Sequence, residues 1–251
     1  MSQLVVLCGG SGTRMAAVTG ARQKCTVPVA GRPFLAHVLD RAVRPPVDRV
    51  LLLAGHAAED VRECARRWRP AGPGAAPAAV EILAEDAPAG TIGALRAALP
   101  RLDERFLLIL GDVLPPQGDG LWTPLARTLE ETGAEALMAL APAARSHDRG
   151  NATVDGPWVA RYDKKAAAPY IDRGVRLLRR SALAAQAGDD DGPFFGGLAE
   201  RRRLAHLLFD EPIVEVGAPD RWARACAELA DPAVPPAPAP PVPGRAEGRT
   251  R

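Results

Sequence analysis

The sequence predicts an α/β fold in which a mostly parallel sheet is covered by helices on both faces. Short apolar runs recur along the N-terminal half, segments with helical spacing separate them, and the first run breaks at once into glycines. Residues 4–8 form the first buried-type strand, and Gly9, Gly10 and Gly12 follow in a phosphate-sized turn. Residues 33–43 carry apolar side chains at helical spacing behind a proline suited to a first turn. Residues 49–54 read as a second strand and 58–68 as a helix. The Pro/Gly/Ala-rich stretch 71–79 is a loop, 80–84 a third strand and 91–99 a helix. A fourth strand, 106–110, ends in Gly111-Asp112; 121–132 is helical and 136–140 a fifth strand.

The pattern then changes. Residues 151–162 read as two short strands around Asp155-Gly156, 170–178 as another, and 213–216 as a late strand before a helix over 219–229. The second half therefore predicts a small β-rich lid over a ligand. Residues 231–251 are Pro/Ala-rich and too poor in large apolar side chains to order themselves, so a disordered tail is expected after a single domain over 1–230.

Composition narrows the function. The chain has 251 residues, enough for one domain with an ample core. A net charge of only +2 argues against nucleic acid as the main partner, because a phosphate-tracking surface needs a concentrated basic excess. No apolar run reaches membrane-spanning length, and the N-terminus enters a strand without a signal-peptide layout. Cys8, Cys25, Cys64 and Cys226 are scattered without metal-ligand spacing, as expected of free thiols in the cytoplasm. Basic residues are nearly all arginine. Lys24, Lys164 and Lys165 are the only lysines, which marks them as positions wanting a compact point charge rather than a planar fork.

The turn after the first strand reads Leu7-Cys8-Gly9-Gly10-Ser11-Gly12-Thr13-Arg14-Met15. Glycines let a backbone approach a phosphate chain closely and aim free N–H groups at it, and Arg14 adds a fixed cation. No Gly-Lys-Ser/Thr closes the turn as in a Walker loop. The glycine offsets do not fit G-x-G-x-x-G, and Ala54-Gly55-His56, not an acid, follows the second strand, which excludes a dinucleotide fingerprint.

With Lys24 and the stretch Val27-Pro28-Val29-Ala30-Gly31-Arg32-Pro33, this segment resembles the sugar-1-phosphate nucleotidyltransferases, whose signature is G-G-x-G-T-R, then K, then V-x-G-x-P. The resemblance covers about residues 3–229. It implies a Rossmann-like fold, dependence on Mg²⁺, and capture of a nucleoside triphosphate and a sugar 1-phosphate. By position, Leu7, Gly9, Gly10, Gly12, Thr13 and Arg14 would hold the nucleotide and Lys24 the phosphates undergoing transfer. Residues 85–94 resemble the family stretch ending in G-T-x-G-A, which places Gly90 and Thr91 at the nucleotide and Glu85 at the base edge. A carboxylate only accepts hydrogen bonds. Guanine offers two adjacent donors, uracil and thymine one, and adenine and cytosine pair a donor with a bare ring nitrogen. Glu85 thus favours GTP. Members that make GDP-activated heptoses, the D-glycero-D-manno-heptose 1-phosphate guanylyltransferases, are similar in length and in this segment.

Asp112 ends a buried strand, where open α/β sheets place their ligands, and the resemblance makes it a Mg²⁺ ligand. The second family ligand is the aspartate of D-x-G-x-P. Here Glu215-Val216-Gly217-Ala218-Pro219 keeps the motif with a glutamate, whose extra methylene moves the carboxylate by about an ångström at an ion that demands octahedral geometry. Tyr162-Asp163-Lys164-Lys165 resembles the family's E-K element: Lys165 matches the lysine that holds the sugar phosphate, and Lys164 replaces the glutamate. Asn151 and Asp172 lie where the family contacts the sugar. The family often forms homo-oligomers, but no exposed stripe specifies an interface. Two other readings stay open: a nucleotidyltransferase with a molybdopterin or polyol phosphate acceptor, and a regulator that binds nucleotide or sugar phosphate without chemistry, which Glu215 and Lys164 favour.

Overall fold

A computed structural model describes residues 2–230 except 11, 72–76, 86, 88, 117–120, 147 and 185–187; the expected tail at 231–251 lies outside the described residues. In chain order the strands are β1 (Ser2–Cys8), β2 (Pro28–Val29), β3 (Arg32–Pro33), β4 (Val47–Ala54), β5 (Ala79–Ala84), β6 (Arg105–Leu110), β7 (Ala136–Pro142), β8 (Ala152–Asp155), β9 (Trp158–Tyr162), β10 (Tyr170–Arg179) and β11 (Leu204–Leu208). The helices are α1 (Ala16–Thr19), α2 (Phe34–Ala42), α3 (Ala58–Arg67), α4 (Gly90–Ala97), α5 (Trp122–Thr132), α6 (Asp191–Glu200) and α7 (Pro219–Glu228).

Nine strands form one sheet in the order β5-β4-β1-β6-β10-β7-β11-β9-β8, and β2-β3 make a separate ribbon. β5, β4, β1 and β6 are parallel neighbours. β10 runs against both β6 and β7, and β9 against β11 and β8, so the sheet is mixed but mostly parallel. Alternation along β1 explains its central place: Leu4 and Val6 enter the apolar layer on one face, and Val5 the layer on the other. Charges complement the helix ends, as on α3, with Glu59 and Asp60 in its first turn and Arg66 and Arg67 in its last. No described helix is long and apolar enough to cross a membrane.

The hairpin expected around Asp155-Gly156 is present, but it is continuous with the main sheet through β9 and β11. Two expectations need correction. Residues 213–216 are not a strand; Glu215 makes only an isolated bridge with Val113. The late strand is β11, parallel to β7. Helix α6 escaped the sequence pattern because Gly192, Pro193, Gly196 and Gly197 interrupt it, yet Phe194, Phe195 and Leu198 bury it against the sheet.

The connections after β1, β4, β5 and β6 all leave the carboxyl edge of the parallel half. The chain passes from β1 to β4 on one side and returns to β6 on the other, so β1 marks a switch point, where such sheets open a crevice.

Candidate active site

The turn after β1 continues into a short 3₁₀ turn, Thr13–Met15, capped by Gly12 at φ 61°. Arg14 stands exposed on it and makes no hydrogen bond or ion pair within the described residues; Thr13 is exposed beside it. Lys24 runs along the glycines: a Cβ built on Gly10 would lie 3.4 Å from Lys24 Cε, and one on Gly12 3.4 Å from Lys24 Cβ. Its ammonium ends 2.5 Å from Asp112 Oδ2, in the turn after β6. Both side chains keep some exposure, 22% for Lys24 and 16% for Asp112, so the pair faces the crevice rather than the core.

Gln23, which the sequence did not mark, organises the loop. It is fully buried, and its amide nitrogen sits among the carbonyls of Cys8, Gly10 (3.2 Å) and His56 (3.1 Å). Its backbone N–H donates to Asp60 Oδ2 at 2.8 Å. The turns after β1 and β4 are thereby tied together, and they touch at Gly55, where a Cβ would fall 2.9 Å from Gly9 O. A lone glutamine between arginine and lysine carries no sequence signal of such a role.

Glu85 lies beside the same turn. Its Oε2 is 3.6 Å from the point where a Gly9 side chain would begin. Burial pushes its carboxyl above the ordinary value, against a hydrogen bond with the Ala89 backbone. Gly90 and Thr91 open α4 immediately beyond.

Glu215 reaches the crevice from the opposite wall. Its Oε1 accepts from Arg221 Nη1 at 2.5 Å, and Arg221 also binds Asp148. Burial raises the Glu215 pKa, Arg221 opposes this, and the charges of Asp112 and Asp148 add to the rise. Glu215 Oε2 and Asp112 Oδ2 lie 3.0 and 4.0 Å from one point, the Cβ position that Gly217 leaves empty. The Val216 N–H donates to Asp112 O at 2.9 Å, which fixes the two segments together.

Beside the β8–β9 hairpin, Asp172 is enclosed. Its Oδ2 accepts from Arg176 and from the Tyr162 hydroxyl (3.1 Å), and its Oδ1 accepts from the Gly174 N–H. Asn151 Oδ1 accepts from the Asp172 N–H at 3.0 Å, which joins these two residues and leaves the Asn151 amide nitrogen available to donate. Lys165 is exposed, with no side-chain partner within the described residues, while Lys164 binds both oxygens of Asp191 at 2.6 and 2.7 Å. A cavity of about 780 Å³, lined among others by Tyr162, Lys164, Lys165 and Asp191, opens between this turn and α6. The structure thus gathers Gly9, Lys24, Glu85, Asp112 and Glu215 around one crevice, and Asn151, Lys165 and Asp172 around the β8–β9 hairpin, the segment expected as a lid.

A glycine turn facing a Gly-Asp turn across the switch point of a parallel half-sheet is the arrangement of the nucleotidyltransferases. The chain belongs to the MobA-like NTP transferase family, whose model matches residues 4–231. It is 35% identical over 190 residues to the bifunctional protein GlmU of Halorhodospira halophila, covering 74% of this chain and 36% of that protein, so it spans little more than a third of that relative's length. HddC from Yersinia pseudotuberculosis, solved in complex with GMP-PN, superposes with a TM-score of 0.73 at 20% identity, covering 91% of this chain and all of that one. A UTP-bound UGPase from Acinetobacter baumannii gives 0.73 at 14% identity, with 93% and 95% covered. These two likenesses show the shared fold.

Proposed function

We propose that this chain transfers the nucleotidyl group of a nucleoside triphosphate, GTP in preference, to a sugar 1-phosphate and releases pyrophosphate. The observation that carries this reading is the Lys24–Asp112 pair at 2.5 Å over the glycine turn, a cation and a carboxylate brought together at the mouth of the crevice. Transfer between phosphates rests on positioning and charge neutralisation rather than on a protein nucleophile. Backbone N–H groups of the glycine turn and the free guanidinium of Arg14 would receive the β- and γ-phosphates. Lys24 would offset charge on the α-phosphate. Lys165, free and exposed on the lid, would orient the attacking phosphate, which is already ionised near neutral pH and needs no general base. Glu85 would accept from the two donors of a guanine, with the acceptor among hexoses, heptoses or cyclitols.

The carboxylates of Asp112 and Glu215 suit Mg²⁺. They converge on the point left open by Gly217. No group of three or more His, Cys, Asp or Glu that could hold a metal occurs among the described residues, and Mg²⁺ commonly takes one or two carboxylates and fills its shell with water and phosphate oxygens. Asp112 and Glu215 would hold the ion, which would supply charge neutralisation for a leaving pyrophosphate. Arg221 holds one Glu215 oxygen and leaves the other facing Asp112.

The test is pyrophosphate release with Mg²⁺, each of five nucleoside triphosphates being paired with a panel of hexose, heptose and cyclitol 1-phosphates. GTP-dependent release with one acceptor supports the reading. Release with UTP or dTTP keeps the class and overturns the role of Glu85. Release only with a molybdopterin or polyol phosphate overturns the sugar acceptor.

A further inference from the structure

Arg176 is an anomaly in its place. It occupies β10 between Leu108 of β6 and Met138 of β7 and is fully buried in the apolar layer that contains both. Its Nη2 binds Asp172 and lies 3.3 Å from Asp191 Oδ2, and its guanidinium carbon sits 4.4 Å above the Phe195 ring. Nε and Nη1 are buried without a hydrogen-bond partner among the described residues. Burial works against this charge, and Asp172, Tyr162 and Asp191 outweigh it, so the group stays cationic. Orphaned donors are costly, and an apolar side chain would pack the layer better. Its two carboxylates would nonetheless be left uncompensated in a buried layer without it, so Arg176 is held in place by what it orders.

It orders a chain of contacts. Asp172 lies at one end, on the lid. Asp191 lies at the other, at the start of α6, where both its oxygens accept from the Lys164 ammonium. The segment just before Asp191 is locked to the nucleotide side. Asp189 O accepts from the Ile92 N–H at 2.9 Å, and Asp189 Oδ1 and Gly188 O both accept from Arg96 of α4. The approach is so close that a Cβ on Gly90 would lie 2.7 Å from Asp189 O, and one on Gly93 3.3 Å from Asp189 Cγ. Residues 188–191 are thus a strap with one end on the helix that follows Glu85 and the other on the acceptor lid.

We propose that Lys164 is a positioning residue: through Asp191 and Arg176 it fixes Asp172, whose N–H holds Asn151 Oδ1 and so aims the Asn151 amide nitrogen at an acceptor hydroxyl, and it tensions the strap that joins the acceptor lid to the nucleotide-side helix. This rests on the sugar-phosphate reading for its first half only. Lys164 is half exposed, 49% for its side chain, so its replacement leaves the core intact.

Lys164→Gln and Lys164→Arg are compared with the wild type in two measurements. Hydrogen exchange without substrates reads the strap: in Lys164→Gln, exchange at the Ile92 amide and through α4 rises about tenfold, while β1 and β4 are unchanged, and Lys164→Arg restores protection. Steady-state kinetics with the active acceptor read the positioning: the acceptor KM rises about tenfold with the nucleotide KM within twofold, and Lys164→Arg recovers most of it. Unchanged exchange at Ile92 overturns the strap. An unchanged acceptor KM, or an equal rise in both KM values, overturns the positioning. If the wild type turns over no sugar phosphate, the proposed function falls together with the positioning half, and the exchange data still decide the strap.

Discussion

Lys24 and Asp112 are 88 residues apart in the chain and 2.5 Å apart in the crevice, joined by an ion pair on the carboxyl ends of β1 and β6. The pair holds its own charges in place before any substrate arrives. On the proposed function, a triphosphate with its counter-ion would compete for both members, and each would pass to a new partner when substrate binds.

On the proposed function, Lys24→Ala removes a preorganised cation that would act on the reacting phosphates. Loss of one such electrostatic group lowers turnover by roughly 10²–10³-fold. The side chain is partly exposed and its stem packs on glycines, so melting temperature stays close to the wild-type value. Single-turnover kinetics with a thermal melt check both halves, and a fully active variant removes Lys24 from the mechanism.

The glycine turn, Lys24 and Gly111-Asp112 were legible in the sequence because backbone-approach residues and charges placed right after buried strands leave a local trace. Gln23 and Arg176 were not. A glutamine whose amide nitrogen is shared among three carbonyls looks like any surface glutamine until the loops meet. Arg176 left a faint signal, one charge inside the apolar run Val175-Arg176-Leu177-Leu178, but its meaning depends on Asp191, which only the docking of α6 supplies. The sequence pattern misplaces the late strand for a related reason. Residues 213–216 have strand-like composition, yet the hydrogen-bonding edge of β7 is taken by β11.

Gln23→Ala should loosen the nucleotide loop and the fold together. It leaves three carbonyls without a shared donor, and each unsatisfied buried group costs about 1–3 kcal/mol where water cannot reach it. A net loss of about 2 kcal/mol lowers the melting temperature by roughly 4–8 °C for a chain of this size. The nucleoside triphosphate KM rises in the same variant, and Gln23→Glu does not rescue it, because a carboxylate offers no donor to the carbonyls. Calorimetric melts and nucleotide titrations read the two effects.

Mg²⁺ should stabilise the wild-type protein through Asp112 and Glu215. An ion present at tenfold its dissociation constant adds about 1.4 kcal/mol, which raises the melting temperature by roughly 3–6 °C. Asp112→Asn and Glu215→Gln lose this increment, and Glu215→Asp keeps it, since the shorter acid still presents two oxygens. Thermal shift against a Mg²⁺ series, with chelator as the zero point, measures it without any acceptor. A full shift in Glu215→Gln removes that residue from the metal site.

Glu85 sets an expected pH dependence. Burial holds its carboxyl above the ordinary glutamate value, so it takes up a proton at a higher pH than an exposed acid does. Only the ionised form accepts from both guanine donors. GTP affinity is therefore full above that raised pKa and falls as the pH drops through it, a loss beginning at a pH where an ordinary glutamate is still ionised. Glu85→Gln flattens this acid limb and weakens GTP by roughly 10- to 100-fold, the size of a lost charge-assisted contact of about 1.5–3 kcal/mol. Calorimetric titration of GTP and of inosine triphosphate, which lacks the 2-amino donor, between mildly acid and neutral pH separates the terms. The wild type prefers GTP to inosine triphosphate, and that preference shrinks in the variant. An unaltered preference in Glu85→Gln places base recognition elsewhere on the crevice.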